Sequence, residues 1–219
     1  MIGILTAIEI EAAAISARMD RAEAGCCGPL RCRHGYLGNQ EVVLALCGIG
    51  KVNAAVHTQM LIDQYGVDRL LHAGVAGAIA PSVKPMDLVI GRTLCYHDIP
   101  VQLQKLMAPA QLFYESDTAL VEAAHAAAGT CHIGTIATGD QFISNAQTRQ
   151  EIHLRTGALC ADMESAAVAH AAWLSKVPFV VLRSISDLAN GEADADFQQQ
   201  GAQAAERVAQ TVCRMVAAM

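Results

Sequence analysis

The sequence predicts an α/β fold, a single domain with a central mixed β-sheet flanked by helices. Two observations predict it. Apolar runs of five to seven residues recur along the chain and alternate with helical stretches, and runs of that length suit buried strands. No linker or low-complexity segment interrupts the alternation, so residues 1–219 read as one unit. Alternation of this kind puts helices on the faces of a mixed or mainly parallel sheet.

The elements follow in order. Ile2–Ala7 is an apolar run of strand length. Glu9–Met19 reads as a helix, with Ile10, Ala13, Ala14 and Ala17 at helical spacing and carboxylates in its first turn, where the helix dipole favours them. Cys26–Pro29 is a turn, and Arg31–Tyr36 and Glu41–Cys47 pair around a Leu37–Gln40 turn. Gly48–Lys51 is a glycine loop before a helix over Val52–Tyr65. Arg69–Ala73 is a strand that opens into a second glycine loop, Gly74–Gly77, and Asp87–Arg92 is another strand. Tyr96–Ala110 reads as loop with some helix. Asp117 caps a helix through Ala127. Cys131–Thr138 is a strand ending in Gly139–Asp140, and Ala146–Arg155 and Met163–Leu174 are helices. After Pro178 comes the strand Phe179–Ser184; the last helix, Phe197–Ala217, carries Ala204, Val208, Val212 and Met215 on one face.

Composition narrows the function classes. Hydrophobic residues make up 53% and charged residues 16%, against about 45–50% and 25% in ordinary soluble chains. The surplus apolar surface implies a subunit interface, since no run approaches the roughly 18–20 residues of a membrane span. Net charge is −6 and the basic residues are scattered, which argues against a nucleic-acid partner. The eight cysteines form no C-x-x-C pair, so reduced thiols of a cytoplasmic protein are expected, with no structural zinc. Met1–Ala7 lacks a preceding basic segment and reads as a first strand, not a signal peptide.

Several motifs fail. Gly48-Ile49-Gly50-Lys51 lacks the Gly at 45 and the Ser or Thr at 52 of a phosphate-binding P-loop, and Asn53 breaks a dinucleotide fingerprint, which counts against an oxidoreductase. No G-x-S-x-G or H-E-x-x-H occurs, and the histidines show no metal spacing. What remains is a set of acids, Glu11, Asp162, Glu164 and Asp187, beside glycine segments that follow strands. In such sheets ligands bind at the carboxyl ends of strands. Acids held there against apolar walls acquire raised pKa values and act as proton donors. For any one of them, a helix cap or a surface charge is the plainer reading.

The ordered motifs resemble a known superfamily. Ile2-Gly3-Ile4, Glu9 and Glu11, Gly48–Ala55, Ala73–Gly77, Tyr96-His97-Asp98, Gly139–Ile143, Asp162–Ala167 and Val181–Asp187 together are similar to the nucleoside phosphorylases and nucleosidases, and most to the 5′-methylthioadenosine/S-adenosylhomocysteine nucleosidase family. The resemblance implies a homodimer that hydrolyses the adenine N-glycosidic bond without a cofactor. It casts Asp187 as the acid that protonates adenine N7 and Glu11 as the base that activates water. It makes Met163 and Glu164 the ribose clamp, with Arg183 orienting the carboxylate. It places Phe142 against the base and the Ile143 backbone at its Watson–Crick edge, with Val75 and Ser186 also in the substrate site. The superfamily's phosphorylases typically hold phosphate with an Arg where His72 stands, so water is the expected nucleophile. The resemblance also places the subunit interface on Val52–Tyr65 and Tyr96–Val101.

Three departures stand out. Val75 occupies the family's serine position, and Asp162 replaces a more common Glu. Ile99–Tyr114 lacks the family's glycine- and tyrosine-bearing loop, which leaves the 5′ substituent open. A futalosine or aminofutalosine nucleosidase and a non-catalytic storage-type member are the competing readings.

Overall fold

The computed structural model describes residues 1–27, 30–107 and 109–219, with Cys26 and Cys27 as backbone only. Its elements are β1 (Ile2–Thr6), α1 (Glu9–Ser16), β2 (Asp20–Cys27), β3 (Leu30–Leu37), β4 (Gln40–Leu46), α2 (Lys51–Tyr65), β5 (Arg69–Ala78), β6 (Leu88–Tyr96) and α3 (Val101–Gln104). They continue with β7 (Tyr114–Glu115), α4 (Thr118–Ala128), β8 (His132–Thr138), α5 (Ala146–Thr156), β9 (Cys160–Asp162), α6 (Ser165–Leu174), β10 (Phe179–Asp187) and α7 (Ala193–Ala217).

All the strands belong to one mixed sheet, and part of it closes on itself. Strands β10, β6, β8, β9 and β5 follow one another, and β5 then pairs back to β10. From β5 the sheet runs on as an open wing through β1, β4, β3 and β2. Within the ring, β5 and β10 are parallel, as are β6, β8 and β9, but the two sets run in opposite directions. They meet at a short antiparallel seam, Gly77↔Ala161 and Ala78↔Cys160. The seam uses only the last residues of β5, so the carboxyl ends of both sets face one another there. This opposition, more than any single loop, creates the functional cavity.

Alternation of side chains along the strands divides the core. Leu5, Leu70 and Val181 face α2 and α6, whereas Ile2, Ile4, Leu71, Val180 and Leu182 face α7. On α7 the expected stripe of Ala204, Val208, Val212 and Met215 is buried. Its large members stabilise the fold by about 1.5–3 kcal/mol each.

The structure corrects several expectations. Gly74–Gly77 is not a loop but the continuation of β5, held by parallel pairing to β10 from Gly74↔Arg183 to Gly77↔Asp187. Likewise Ile185–Asp187 extends β10, and β6 runs on to Tyr96. Strands β2, β7 and β9 were not expected. The first carries no large apolar residue, and the others are too short to show a period. The turn expected at Cys26–Pro29 lies partly outside the described residues; Cys26 and Cys27 pair with Arg31 and Leu30 as the end of β2. Helix α1 stops at Ser16, because the chain leaves it to enter β2. Helix α7 starts at Ala193 rather than Phe197, with Asp194 and Asp196 in its first turn, a favourable dipole arrangement. As expected, Asp117 caps α4, its side chain accepting from Leu120 N–H at 3.0 Å.

Candidate active site

A cavity of about 300 Å³ opens at the seam between the two strand sets. Ile8 and Glu11 reach it from the start of α1, and Ile49 from the β4–α2 loop. Val75 to Gly77 of β5, Gln141 to Ile143 after β8, Met163 and Glu164 after β9, and Ser186 and Asp187 of β10 complete its walls. Glu11 and the segments Gly48–Lys51, Gly74–Gly77, Gly139–Ile143 and Ser184–Asp187 thus all contribute to one cavity. A larger cleft of about 500 Å³ lies between α1 and β2–β4, but its lining includes no buried carboxylate.

Of the acids that line the cavity, Glu11, Asp187 and Glu164 differ in their surroundings. Glu11 is the third residue of α1, and its side chain turns back over the helix start. Ala7 and Ile8 N–H donate to its Oε2 at 2.9 and 3.1 Å, and Val75 N–H donates to Oε1 at 2.9 Å. Burial pushes its pKa above the ordinary value, against the opposing pull of Arg183 and those three amides. Asp187 accepts less, one bond from Ser186 Oγ at 2.7 Å and one from Ala189 N–H at 2.9 Å. Burial raises its pKa too, and the nearby charges of Asp196 and Asp194 add to the rise. Glu164 Oε1 accepts from Gly50 N–H at 2.9 Å. Burial pushes it up to about 7 despite Arg183, and the charges of Asp162 and Glu11 push the same way.

Behind these acids lies a buried scaffold centred on Asp162 and Arg183. Asp162 Oδ1 accepts from Thr138 Oγ1 at 2.6 Å and from the N–H groups of Glu164 and Ser165 at 3.2 and 3.1 Å. Its Oδ2 accepts from Ser165 Oγ in a short bond and from Arg183 Nε at 2.8 Å. Burial alone would raise its pKa, but Arg183 and the two hydroxyls bring it below the usual range. Asp162 is therefore the anionic anchor that ties the start of α6 to β8 and β10. Arg183, fully buried, meets Asp162 first, and Glu164 Oε2 lies 3.8 Å from its Nη2.

His72 also belongs to this scaffold. Burial and Arg183 depress its pKa to about 3, so the ring is neutral. Its Nδ1 donates to Leu5 O at 3.1 Å and its Nε2 accepts from Arg183 Nη2 at 2.5 Å. A neutral ring so engaged offers no charge to an anion in the cavity.

Close packing explains the glycine at 74. A Cβ there would overlap Arg183 Nη1 and Glu11 Oε1, so the strand backbone itself is the surface on which those groups rest. Val75 serves Glu11 through its backbone N–H, a contact that needs no hydroxyl.

Phe142 is half exposed along one wall, while Ile143 is buried beside it. Asp194 and Phe197 of α7 also line the cavity. Neither had been singled out from the sequence. The acids at 194 and 196 were the available signal, since they mark a first helical turn upstream of Phe197.

Comparison with known proteins gives a consistent result. The sequence model of the phosphorylase superfamily matches residues 1–217. A 5′-methylthioadenosine/S-adenosylhomocysteine nucleosidase from Staphylococcus carnosus is 34% identical, the match covering 99% of each chain. The nucleosidase of that name from Neisseria meningitidis, solved in complex with methylthio-immucillin-A, superposes with a TM-score of 0.95 at 31% identity, covering 100% of this chain and 99% of the other. A futalosine hydrolase from Helicobacter pylori superposes with a TM-score of 0.94 at 30% identity, covering 100% and 97%.

Proposed function

Since the chain belongs to the phosphorylase superfamily and, within it, to the 5′-methylthioadenosine/S-adenosylhomocysteine nucleosidase family, we propose that it hydrolyses the N-glycosidic bond of 5′-modified adenine nucleosides. The products are adenine and the 5′-substituted ribose. The observation that carries this reading is the convergence of Glu11, Glu164 and Asp187 on one cavity in unlike surroundings. Pairs of carboxyls whose environments differ divide into acid and base.

Asp187, with its raised pKa and two acidic neighbours, is suited to enter the reaction protonated. It gives its proton to adenine N7 as the C1′–N9 bond breaks and the bonding pair moves onto the base. Glu11, facing three amide donors and Arg183, is suited to act ionised. It takes a proton from the water whose oxygen forms the new bond to C1′. Glu164 accepts from the ribose hydroxyls beside Met163, and its charge stabilises the positive character that develops on the sugar. Phe142 stacks on the base, the Ile143 backbone reads its edge, Ser186 holds Asp187, and Arg183 steadies Glu164 and Asp162. Water is the nucleophile on this reading. Arg183, packed against these acids, is fully buried, and His72 is neutral.

The chain's apolar surplus supports a homodimer. Val52 and Val56 of α2 and Leu103, Leu106 and Met107 after β6 are exposed. A groove of about 220 Å³ between these segments is lined by Val52, Ala55, Tyr96, Ile99 and Met107, among others. This is the face on which the interface was expected. Among the described residues no helix is long and apolar enough to cross a membrane, and the described cysteines are free thiols.

The test is adenine release from methylthioadenosine, S-adenosylhomocysteine, 5′-deoxyadenosine and aminofutalosine, with and without phosphate. Phosphate-independent release from the first two is expected. The likeness to a futalosine hydrolase favours one second reading, and preferred cleavage of aminofutalosine, or hypoxanthine release from futalosine, would select it. No release from any of them would leave the non-catalytic reading.

A further inference from the structure

Lys51 has no part in the chemistry above, yet it joins the loops that frame the cavity. Its Nζ pairs with Asp98 Oδ2 in a short contact and lies 3.6 Å from Asp140 Oδ2. Its backbone N–H donates to Asp140 Oδ1 at 2.9 Å. Asp140 N–H in turn donates to Asp98 Oδ2 at 2.9 Å. The ammonium also sits 5.6 Å from the Tyr96 ring centroid, close enough for cation–π attraction. The Lys51 and Asp98 side chains are only 20% and 18% exposed, so solvent screens this pair less than a surface pair. Asp98 stays anionic; burial would raise its pKa, but Lys51 and Asp140 N–H lower it.

The residue before Lys51 is Gly50, whose N–H is the amide that donates to Glu164. Gly50 holds φ at 99°, a conformation open to glycine and strained for other residues. Glycine has no side chain to fix that amide, and its carbonyl accepts from Ala54 N–H at 3.0 Å. The next residue carries the clamp, which ties the start of α2 to Asp140 in the loop that also carries Phe142 and Ile143.

We propose that Lys51 is a positioning residue: with Asp98 and Asp140 it holds Gly50 N–H on Glu164, and so sets the carboxylate that grips the ribose. The proposal rests on the ribose role given to Glu164 above. A merely structural ion pair would weaken every activity alike. A clamp that acts through Glu164 weakens only what Glu164 does.

Two readouts separate these cases. The first is the titration of the Glu164 carboxyl, followed by NMR in ¹³C-labelled protein and assigned with Glu164→Gln. The groups facing it are Arg183, Asp162, Glu11 and Gly50 N–H. In Lys51→Met the titration moves upward, because a donor to the ionised form is lost. The second is kcat/KM for methylthioadenosine and for its 2′-deoxy and 3′-deoxy counterparts. Lys51→Met lowers the value for the ribonucleoside by roughly 10²-fold, the scale of a misplaced catalytic contact. With at least one deoxy substrate the loss shrinks to within about twofold, as expected when the shared partner is gone.

Lys51→Arg restores both readouts. If Lys51→Met does not fold, Asp140→Ala removes the other arm of the clamp and carries the same expectations. An unshifted Glu164 titration, or equal losses on the ribose and both deoxy substrates, overturns the proposal. A wild-type protein that releases no adenine refutes the nucleosidase reading instead, and the titration still decides the clamp.

Discussion

At the scale of single residues, the same carboxylates that make chemistry possible cost stability. Glu164 carries a pKa raised from 4.5 to about 7 by burial. The folded state therefore holds its proton more tightly than the unfolded chain does. That contribution is full below about pH 4.5 and is lost as pH rises through 7. Above that pH the ionised, buried group costs up to about 3 kcal/mol. Glu164→Gln is therefore expected to be more stable than wild type at pH 8 and equally stable near pH 4. Thermal denaturation at both pH values checks this; a variant less stable at pH 8 would contradict it. Function moves the other way. Asp187→Asn and Glu11→Gln are each expected to lower kcat by at least about 10²-fold, the usual scale for a lost general acid or base. Near-normal turnover in either purified variant removes that residue from its assigned part. Both residues have raised pKa values, so the pH profile of kcat/KM has both limbs above the ordinary carboxylate range. It falls at low pH as Glu11 and Glu164, whose charges the reaction uses, gain protons, and at high pH as Asp187 loses one.

At the scale of elements, the strands and helices with a strong period were legible, and their ends were not. The buried stripe of α7 and the Asp117 cap are local patterns, written in neighbouring residues. Glycine misled at 74–77, where it reads as a loop. There it serves close approach within a strand, because Arg183 and Glu11 lie where a side chain would be. Gly74→Ala is accordingly expected to cost about 1–3 kcal/mol through overpacking and to displace Glu11. Denaturant unfolding measures the first effect and kcat the second. Unchanged values for both would mean that strand β5 can shift to make room. Asp162 stood among the candidate acids, with a helix cap as the plainer reading; it lies just before α6, accepts from Ser165 N–H at 3.1 Å and pairs with Arg183.

At the scale of the whole molecule, the exposed face of α2 and the segment after β6 remain to be covered. Sedimentation is expected to give twice the 23.1 kDa mass of the chain. Val52→Glu, at a side chain 74% exposed in the single chain, should shift that mass toward the monomer by burying a charge at the interface. A monomeric wild type would sink the dimer. By itself the sequence determined the α/β class, the alternation of buried strands and helices, and the identity of the acids and glycines that line the cavity. These are properties of local period and residue chemistry, and eight short motifs in order carry them. Only the tertiary structure decided that β5 pairs back to β10, that two opposed strand sets meet at Gly77 and Ala161, and that Arg183 is shared between Asp162, His72 and Glu164. Those contacts join residues up to 111 positions apart. No local pattern encodes them, because they arise from which strand edges find partners and which buried charges must be neutralised together.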